Sequence, residues 1–377
     1  MSIFTKSPAL RWAVPSAAAV ALIGGSAAVG ALTANADAGL QPRTAAQLLV
    51  DVQQARLDGL SGTVVQRADL GIPSLPGMGG GSGSSDMTSL VSGTHTLRVW
   101  FAGPDKARLA LLGDLGESDV VKNGTDLWTW SSHDNTATHR TLSPGDHAAK
   151  APSGADVPKT PQEAADAALK AIGPTTQVST SGTATVAGRS AYELLLEPRD
   201  RASLIAQVRI AVDGVKHVPL RVQVYAQGAA DPAFEVGFTS VDFARPDAGQ
   251  FTFNPPPGAK VSEASPTGTE KMGQARPNPE AGTGKPATSA ARPKVVGTGW
   301  TTVVVAKLPT GAAAPSGTDS STRRLSALVS VLPKVSGAWG SGHLLAGKLF
   351  SVVLTDDGRV AVGAVRPDAL FAALAAK

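Results

Sequence analysis

The residue types that carry out chemistry occur in this chain without assembling a recognisable reaction centre. Cysteine is absent. That removes disulfides, thiolate metal sites, a cysteine nucleophile and any Cys-borne lipid anchor. The run Gly342-His343-Leu344-Leu345-Ala346-Gly347-Lys348 has the spacing of a phosphate-binding loop, but Leu349 stands where a Ser or Thr hydroxyl would hold Mg²⁺. A strand is expected after it, so no helix N-terminus would face a phosphate. His133, His139 and His147 lie near Asp134 and Asp146 in a polar stretch, at spacings that fit no compact helical or hairpin ligand set. Solvated loop histidines are the expectation, with no metal and no other cofactor. No serine sits in a G-x-S-x-G elbow, no nucleotide-type G-x-G-x-x-G follows a strand, and no carboxylate pair is singled out. The chain is therefore expected not to be an enzyme. Trp128 and Trp130 are two residues apart on an expected strand and share a face, where they either line a ligand site or pack beneath a helix.

The elements around these residues are mostly strands. Ala45, Leu48, Leu49 and Val52 follow the spacing of a helix that Gly59 ends, and Ser61 to Arg67 begins the first strand. A Gly/Ser-rich loop, Gly71 to Gly93, comes next. Two-residue alternation places Leu97, Val99 and Phe101 on one face, then Leu109 and Leu111 after the turn Gly103-Pro104-Asp105. Val120-Val121, the turn Asn123-Gly124 and Leu127 to Trp130 read as a hairpin. A second helix is expected from Thr160 as N-cap, with Pro161, Glu163 and a stripe of Ala165, Ala168, Leu169 and Ile172 up to Gly173. Alternation then returns in Tyr192, Leu194 and Leu196; Val208, Ile210 and Val212; Leu220, Val222 and Val224; Val236 and Phe238; and Phe251 and Phe253. Polar residues such as Glu193, Arg209 and Arg221 fall between them. A one-sided apolar sheet built by consecutive hairpins is antiparallel and must cover its apolar face, and two short helices of small residues are thin cover for it.

The chain has 377 residues, 17% of them charged, with 41 Gly and 27 Pro and a formal net charge of +4. Lys6 and Arg11, the uncharged apolar run Ala13 to Leu32, and the small residues at Ala34, Ala36 and Ala38 mark 1–38 as a signal peptide or a signal anchor. The remainder is then extracytoplasmic, either secreted or tethered to the cytoplasmic membrane by residues 12–32, and nucleic acid drops out as a partner. A Pro/Gly-rich stretch without hydrophobic periodicity, 260–294, is expected to be a disordered linker between a domain at 39–259 and a small α+β domain at 295–377. The second domain is read as a strand at Trp300 to Ala306, a helix carrying Leu325, Leu328, Val329 and Leu332, a hairpin across Asp356-Asp357-Gly358, and a last helix from Pro367. The basic excess lies in the linker and this second domain, so a cytoplasmic membrane surface or an acidic partner would meet that end.

Several motifs occur in a familiar order. Phe251-Thr252-Phe253-Asn254-Pro255-Pro256-Pro257-Gly258-Ala259-Lys260-Val261 resembles the closing segment of the LolA family of extracytoplasmic lipoprotein carriers. Leu60-Ser61-Gly62-Thr63-Val64-Val65-Gln66, Gly103-Pro104 and Val120 through Trp130 match that family's earlier segments in order. The resemblance covers most of Gly39 to Val261. It implies an incomplete antiparallel β-barrel, a half-barrel wrapped over plugging helices, whose apolar cavity receives lipid or lipoprotein acyl chains. The residues placed in that cavity are Leu97, Val99, Phe101, Leu109, Leu111, Val208, Ile210, Val222 and Phe238, with Trp128 and Trp130. Gly103 stands where the carriers have an Arg that helps receive lipoprotein, which sets this chain apart from carrier-type handover. The two-domain plan is similar to RseB-type envelope sensors, and implies as the alternative function a regulator binding an anti-sigma factor through its C-terminal domain.

Overall fold

The computed structural model describes residues 40–72, 83–142, 173–264, 293–307, 329 and 331–376. The expected signal segment, the helix from Thr160, His147, most of the linker and Leu325 and Leu328 lie outside them. Helix α1 (Ala45–Gln54) begins where expected, with Thr44 and Gln47 forming a reciprocal capping box. Twelve strands follow: β1 (Leu60–Ala68), β2 (Gly93–Phe101), β3 (Lys106–Leu112), β4 (Glu117–Asn123), β5 (Asp126–Ser131), β6 (Thr136–Thr141), β7 (Thr176–Val186), β8 (Arg189–Pro198), β9 (Ile205–Asp213), β10 (Pro219–Ala226), β11 (Phe234–Asp242) and β12 (Lys260–Ala264). They make one sheet in the order β12-β6-β5-β4-β3-β2-β1-β11-β10-β9-β8-β7. Two ladders of hairpins, β1 to β6 and β7 to β11, are joined where β1 pairs with β11. The edge strands β7 and β12 do not pair with each other, so the sheet is open. Leu48 of α1 packs on Tyr192 and Leu194, giving one covering helix among the described residues.

Two expectations are corrected here. Phe251 and Phe253 were expected on a strand, yet the chain after β11 forms a strap: a 3₁₀ turn at Ala248–Phe251 lies against β3 and β4, and Phe253 reaches Trp128 and Trp130. The Pro255-Pro256-Pro257 run has no backbone N–H to give to a ladder, which keeps the strap out of the sheet. The strap leads to β12, which pairs parallel to β6. Lys260 to Ala264 therefore belongs to the sheet and not to a linker; exposed along most of its length, the strand shows no apolar alternation to mark it.

The second unit is a six-stranded sheet of β13 (Lys294–Val296), β14 (Val303–Lys307), β15 (Lys334–Gly337), β16 (Gly340–Ala346), β17 (Ser351–Thr355) and β18 (Arg359–Gly363), in the order β13-β14-β18-β17-β16-β15. Helix α2 (Pro367–Ala375) has Pro at its start and packs Leu370, Ala373 and Leu374 on Val303, Val305, Val353 and Ala361. The sequence missed β13, β15 and β16. The loop-like run from Gly342 is strand β16, where a Cβ on Gly342 would come within 2.3 Å of the Leu354 carbonyl oxygen. Lys348 pairs with Asp69 of the first unit instead of facing a phosphate. Leu349 packs with Ala226 and Ala233, and Phe350 joins them beside Leu70, Val224 and Phe234. The Leu204 N–H donates to the Ala364 carbonyl at 2.8 Å and Trp300 Nε1 to Thr176 Oγ1 at 2.8 Å, so the two units share an interface.

Candidate functional site

The site is a face of the large sheet, and register defines it. Residues directly opposite on paired strands share a face. One row runs Gly62, Val99, Leu109, Val120, Thr129, Thr138, Ser262. The next runs Val64, Leu97, Leu111, Ser118, Ser131, Thr136. On the other side of β1, Val64 faces Phe238, and Val236, Val222, Ile210 and Leu194 follow in line. Gly62 is glycine for a reason: a Cβ there would sit 2.6 Å from the Phe238 ring.

Nine of the eleven residues singled out in the sequence meet on this face. Leu97, Val99, Leu111, Val208, Val222 and Phe238 are buried in one cluster, and Phe101, Leu109 and Ile210 are half-buried against it. Trp128 and Trp130 do not join them. Trp128 pairs across with Val121 and Trp130 with Asp119, and Val121 lies opposite Arg108, so both indoles belong to the reverse face. There they meet Phe253 at 5.3 and 6.2 Å, and Trp128 stacks on His139 at 4.5 Å. Both pack against Phe253 of the strap and not beneath a helix, and Trp130 also borders the cavity described below.

The sequence also missed what borders the apolar rows. A 3₁₀ turn, Met87–Val91, capped by the Asp86 side chain on the Thr88 N–H, lies over β1 and β2 and packs Met87 and Leu90 on the cluster. Gln66 Nε2 donates to the Leu90 carbonyl at 3.0 Å, and His95, 2% exposed, reaches the Ser92 carbonyl at 2.8 Å. These buried polar groups tie the turn down on an otherwise apolar face. Beyond Val120 the rows change to hydroxyls. A cavity of about 240 Å³ opens there, lined among others by Met87, Ser118, Val120, Thr129, Thr136 and Thr138. His133 and Asp134, at the β5–β6 turn, stand at its rim.

Away from the contact of Trp128 and Trp130 with Phe253, the reverse face carries charged side chains. The Trp100 ring lies between the guanidinium groups of Arg98 and Arg108, at 5.1 and 5.2 Å. Arg108 also bonds Asp119 at 2.8 Å and Glu117 at 3.3 Å. The hydrogen bond between the neighbouring carboxyls, with burial and the Asp119 charge, pushes Glu117 up to about 7. His139 bridges Asp126 and Glu263, each at 2.9 Å, and chiefly the Asp126 hydrogen bond holds its imidazole above the usual range. A cleft of about 240 Å³ lies between Ser61, Thr63, Arg98, Trp100, Ser240 and Asp242. Among the described residues no group of three His, Asp or Glu side chains is placed to hold a metal ion, and no helix is long and apolar enough to cross a membrane.

Residues 85–263 match the DUF2092 family, described as a predicted periplasmic protein. The match spans the sheet from the Met87 turn to β12, and its description is in keeping with an extracytoplasmic location. No curated protein matches the chain. Among solved structures the chain is similar to MucB in the MucA/MucB complex of Pseudomonas aeruginosa, at 15% identity over 88% of this chain and 96% of that one, with a TM-score of 0.42. It is similar to an uncharacterised conserved protein of Thermus thermophilus at 12% identity, covering 58% of this chain and 98% of that one, TM-score 0.34. It is also similar to a LolA superfamily protein of Nitrosomonas europaea at 14% identity, covering 56% and 99%, TM-score 0.21. Identity to each of these structures is 15% or less.

Proposed function

We propose that this chain is a non-catalytic, extracytoplasmic protein that holds lipid or lipoprotein acyl chains against the apolar face of its large sheet. One observation carries the reading. Strands from both hairpin ladders contribute to a single apolar cluster, whose buried members, Leu111, Phe238 and Val208 among them, are bordered by the half-buried Phe101, Leu109, Ile210 and Val224 that an acyl chain would lie against. Each methylene removed from water on such a surface contributes about 0.8 kcal/mol, so a single acyl chain binds without any charged anchor. That suits a chain with Gly103 at the carriers' Arg position. The protein works either secreted or tethered at the cytoplasmic membrane by its N-terminal apolar run. Native mass spectrometry of the full chain, purified without added lipid and released from detergent in the gas phase, tests it. A bound mass of one or more acyl lipids is expected; bare protein from every preparation, with no uptake of added palmitate, contradicts it.

A second reading is an envelope sensor that recruits a membrane protein of anti-sigma-factor type through its C-terminal unit. What favours it is that Val224 and Phe234 belong both to the apolar face and to the interface with Leu349 and Phe350, so a ligand on the face and the seating of the second unit bear on the same side chains. Partner capture by the full chain should then change when Leu349 is replaced by Asp, with acyl binding retained; capture that is insensitive to this change speaks against it.

A further inference from the structure

The rows of the apolar face do not end at solvent. They change chemistry in register: Val99, Leu109 and Val120 continue as Thr129, Thr138 and Ser262, while Leu97 and Leu111 continue as Ser118, Ser131 and Thr136. The change falls at the cavity of about 240 Å³, far more than the roughly 10–15 Å³ that one water requires. Among the described residues the hydroxyls of Ser118, Thr129 and Thr136 have no protein hydrogen-bond partner, although Ser118 is only 4% exposed. Ser131 is bonded to Asp134 and Thr138 to Ser262. No Lys or Arg lines the cavity among the described residues; of the ionisable residues that border it, Asp119 turns its carboxylate to Arg108 on the reverse face, which leaves Asp86, Asp134 and His133. Unpaired hydroxyls beside carboxylates suit a ligand group that both donates and accepts hydrogen bonds and carries no negative charge.

Resting on the acyl-binding reading above, we infer that this cavity receives the uncharged, hydroxyl-bearing head of an amphiphile, glyceryl or glycosyl, whose acyl chains lie on the adjoining apolar rows. A phosphate head in the same place would meet carboxylates and find no Lys or Arg to balance it.

The test uses four probes with the same palmitoyl chains: palmitate, dipalmitoylglycerol, monoglucosyl dipalmitoylglycerol and dipalmitoyl phosphatidic acid, each titrated into the lipid-stripped full chain. Dipalmitoylglycerol or its glucoside should bind about tenfold tighter than phosphatidic acid, and the tighter of the two names the head. Replacing Thr129→Val and Thr136→Val together should bring that ratio close to one while palmitate binding stays within about twofold; Thr129→Ser, which keeps a hydroxyl, should retain the ratio. Phosphatidic acid binding as tightly as the uncharged lipids overturns the inference, as does a ratio unchanged in a folded double variant. Should that variant fail to fold, the wild-type ratio and Thr129→Ser decide the matter alone. Palmitate bound without head preference defeats only this inference, whereas no palmitate bound at all defeats the acyl-binding reading as well.

Discussion

The β1–β3 and β4–β6 parts of one hairpin ladder share the same pleat, pairing and twist, yet one presents Val, Leu and Phe where the other presents Ser and Thr on the same face. The first is roofed by the Met87 turn and continues into β8–β11 as the main core. The second is held chiefly from behind, where the strap, whose Phe251 turn also touches β3, lays Phe253 on Trp128 and Trp130 and β12 closes its edge. Under the proposed function, stability and ligand contact are divided between opposite sides of the sheet in the two parts: on β1–β3 the apolar face would serve both, and on β4–β6 the reverse face carries the packing and the front would be left to polar recognition.

This contrast makes graded predictions. Phe238→Ala, at a side chain with no exposed surface, should cost about 3–5 kcal/mol by urea unfolding, whereas Thr129→Val on the hydroxyl part should stay within about 0.5 kcal/mol. Similar costs at the two positions would abolish the distinction. Phe253→Leu, which removes the aromatic contacts with Trp128 and Trp130 from the reverse face, should cost about 0.5–1.5 kcal/mol and leave acyl binding unaltered. If binding falls with it, the two faces are not independent.

The smallest effects are in pH, and both run the same way. Glu117 sits above its ordinary value of 4.5, at about 7, so the folded chain holds a proton that the unfolded chain releases. Its contribution is complete below about 4.5 and is lost as pH rises towards 7. His139 is likewise raised from 6.5. Its contribution is complete below that value and is lost as pH climbs through the folded one; a neutral imidazole has a single N–H to offer the two carboxylates, Asp126 and Glu263. Glu117→Gln should flatten the first slope and His139→Gln the second in thermal melts taken across this range. Steeper slopes in the variants would reverse the assignment.

The sequence makes some of this plain and hides the rest for identifiable reasons. The hairpin at Asn123-Gly124 was legible because its turn needs a positive φ, and Gly124 has φ 64°. Alternation located the apolar side of β2, β3, β9 and β10, because large apolar residues recur at every second position along each. It failed at β4, where Val120 and Val121 are neighbours and point to opposite sides: the first continues the apolar row and the second supports Trp128. The two-residue spacing of Trp128 and Trp130 likewise says that they share a face but not which one; register sets them opposite Val121 and Asp119, on the reverse side. The strap was mistaken for a strand because Phe251 and Phe253 alternate as strand residues do, although what they bury is the back of other strands. Strand β12 and the Gly-rich strand β16 carry too few apolar residues to show a period. The hydroxyl rows have no local signature at all; they become visible only when residues from four strands are set in register.

A diazirine-bearing palmitate, cross-linked to the full chain by light and mapped by peptide sequencing, tests the central claim most directly. Insertion is expected at the half-buried side chains of the apolar rows, Phe101 and Leu109 on one ladder and Ile210 and Val224 on the other, competed away by unlabelled lipid. Insertion confined to Trp100, Trp128 or other residues of the reverse face, or labelling that unlabelled lipid does not reduce, would contradict it.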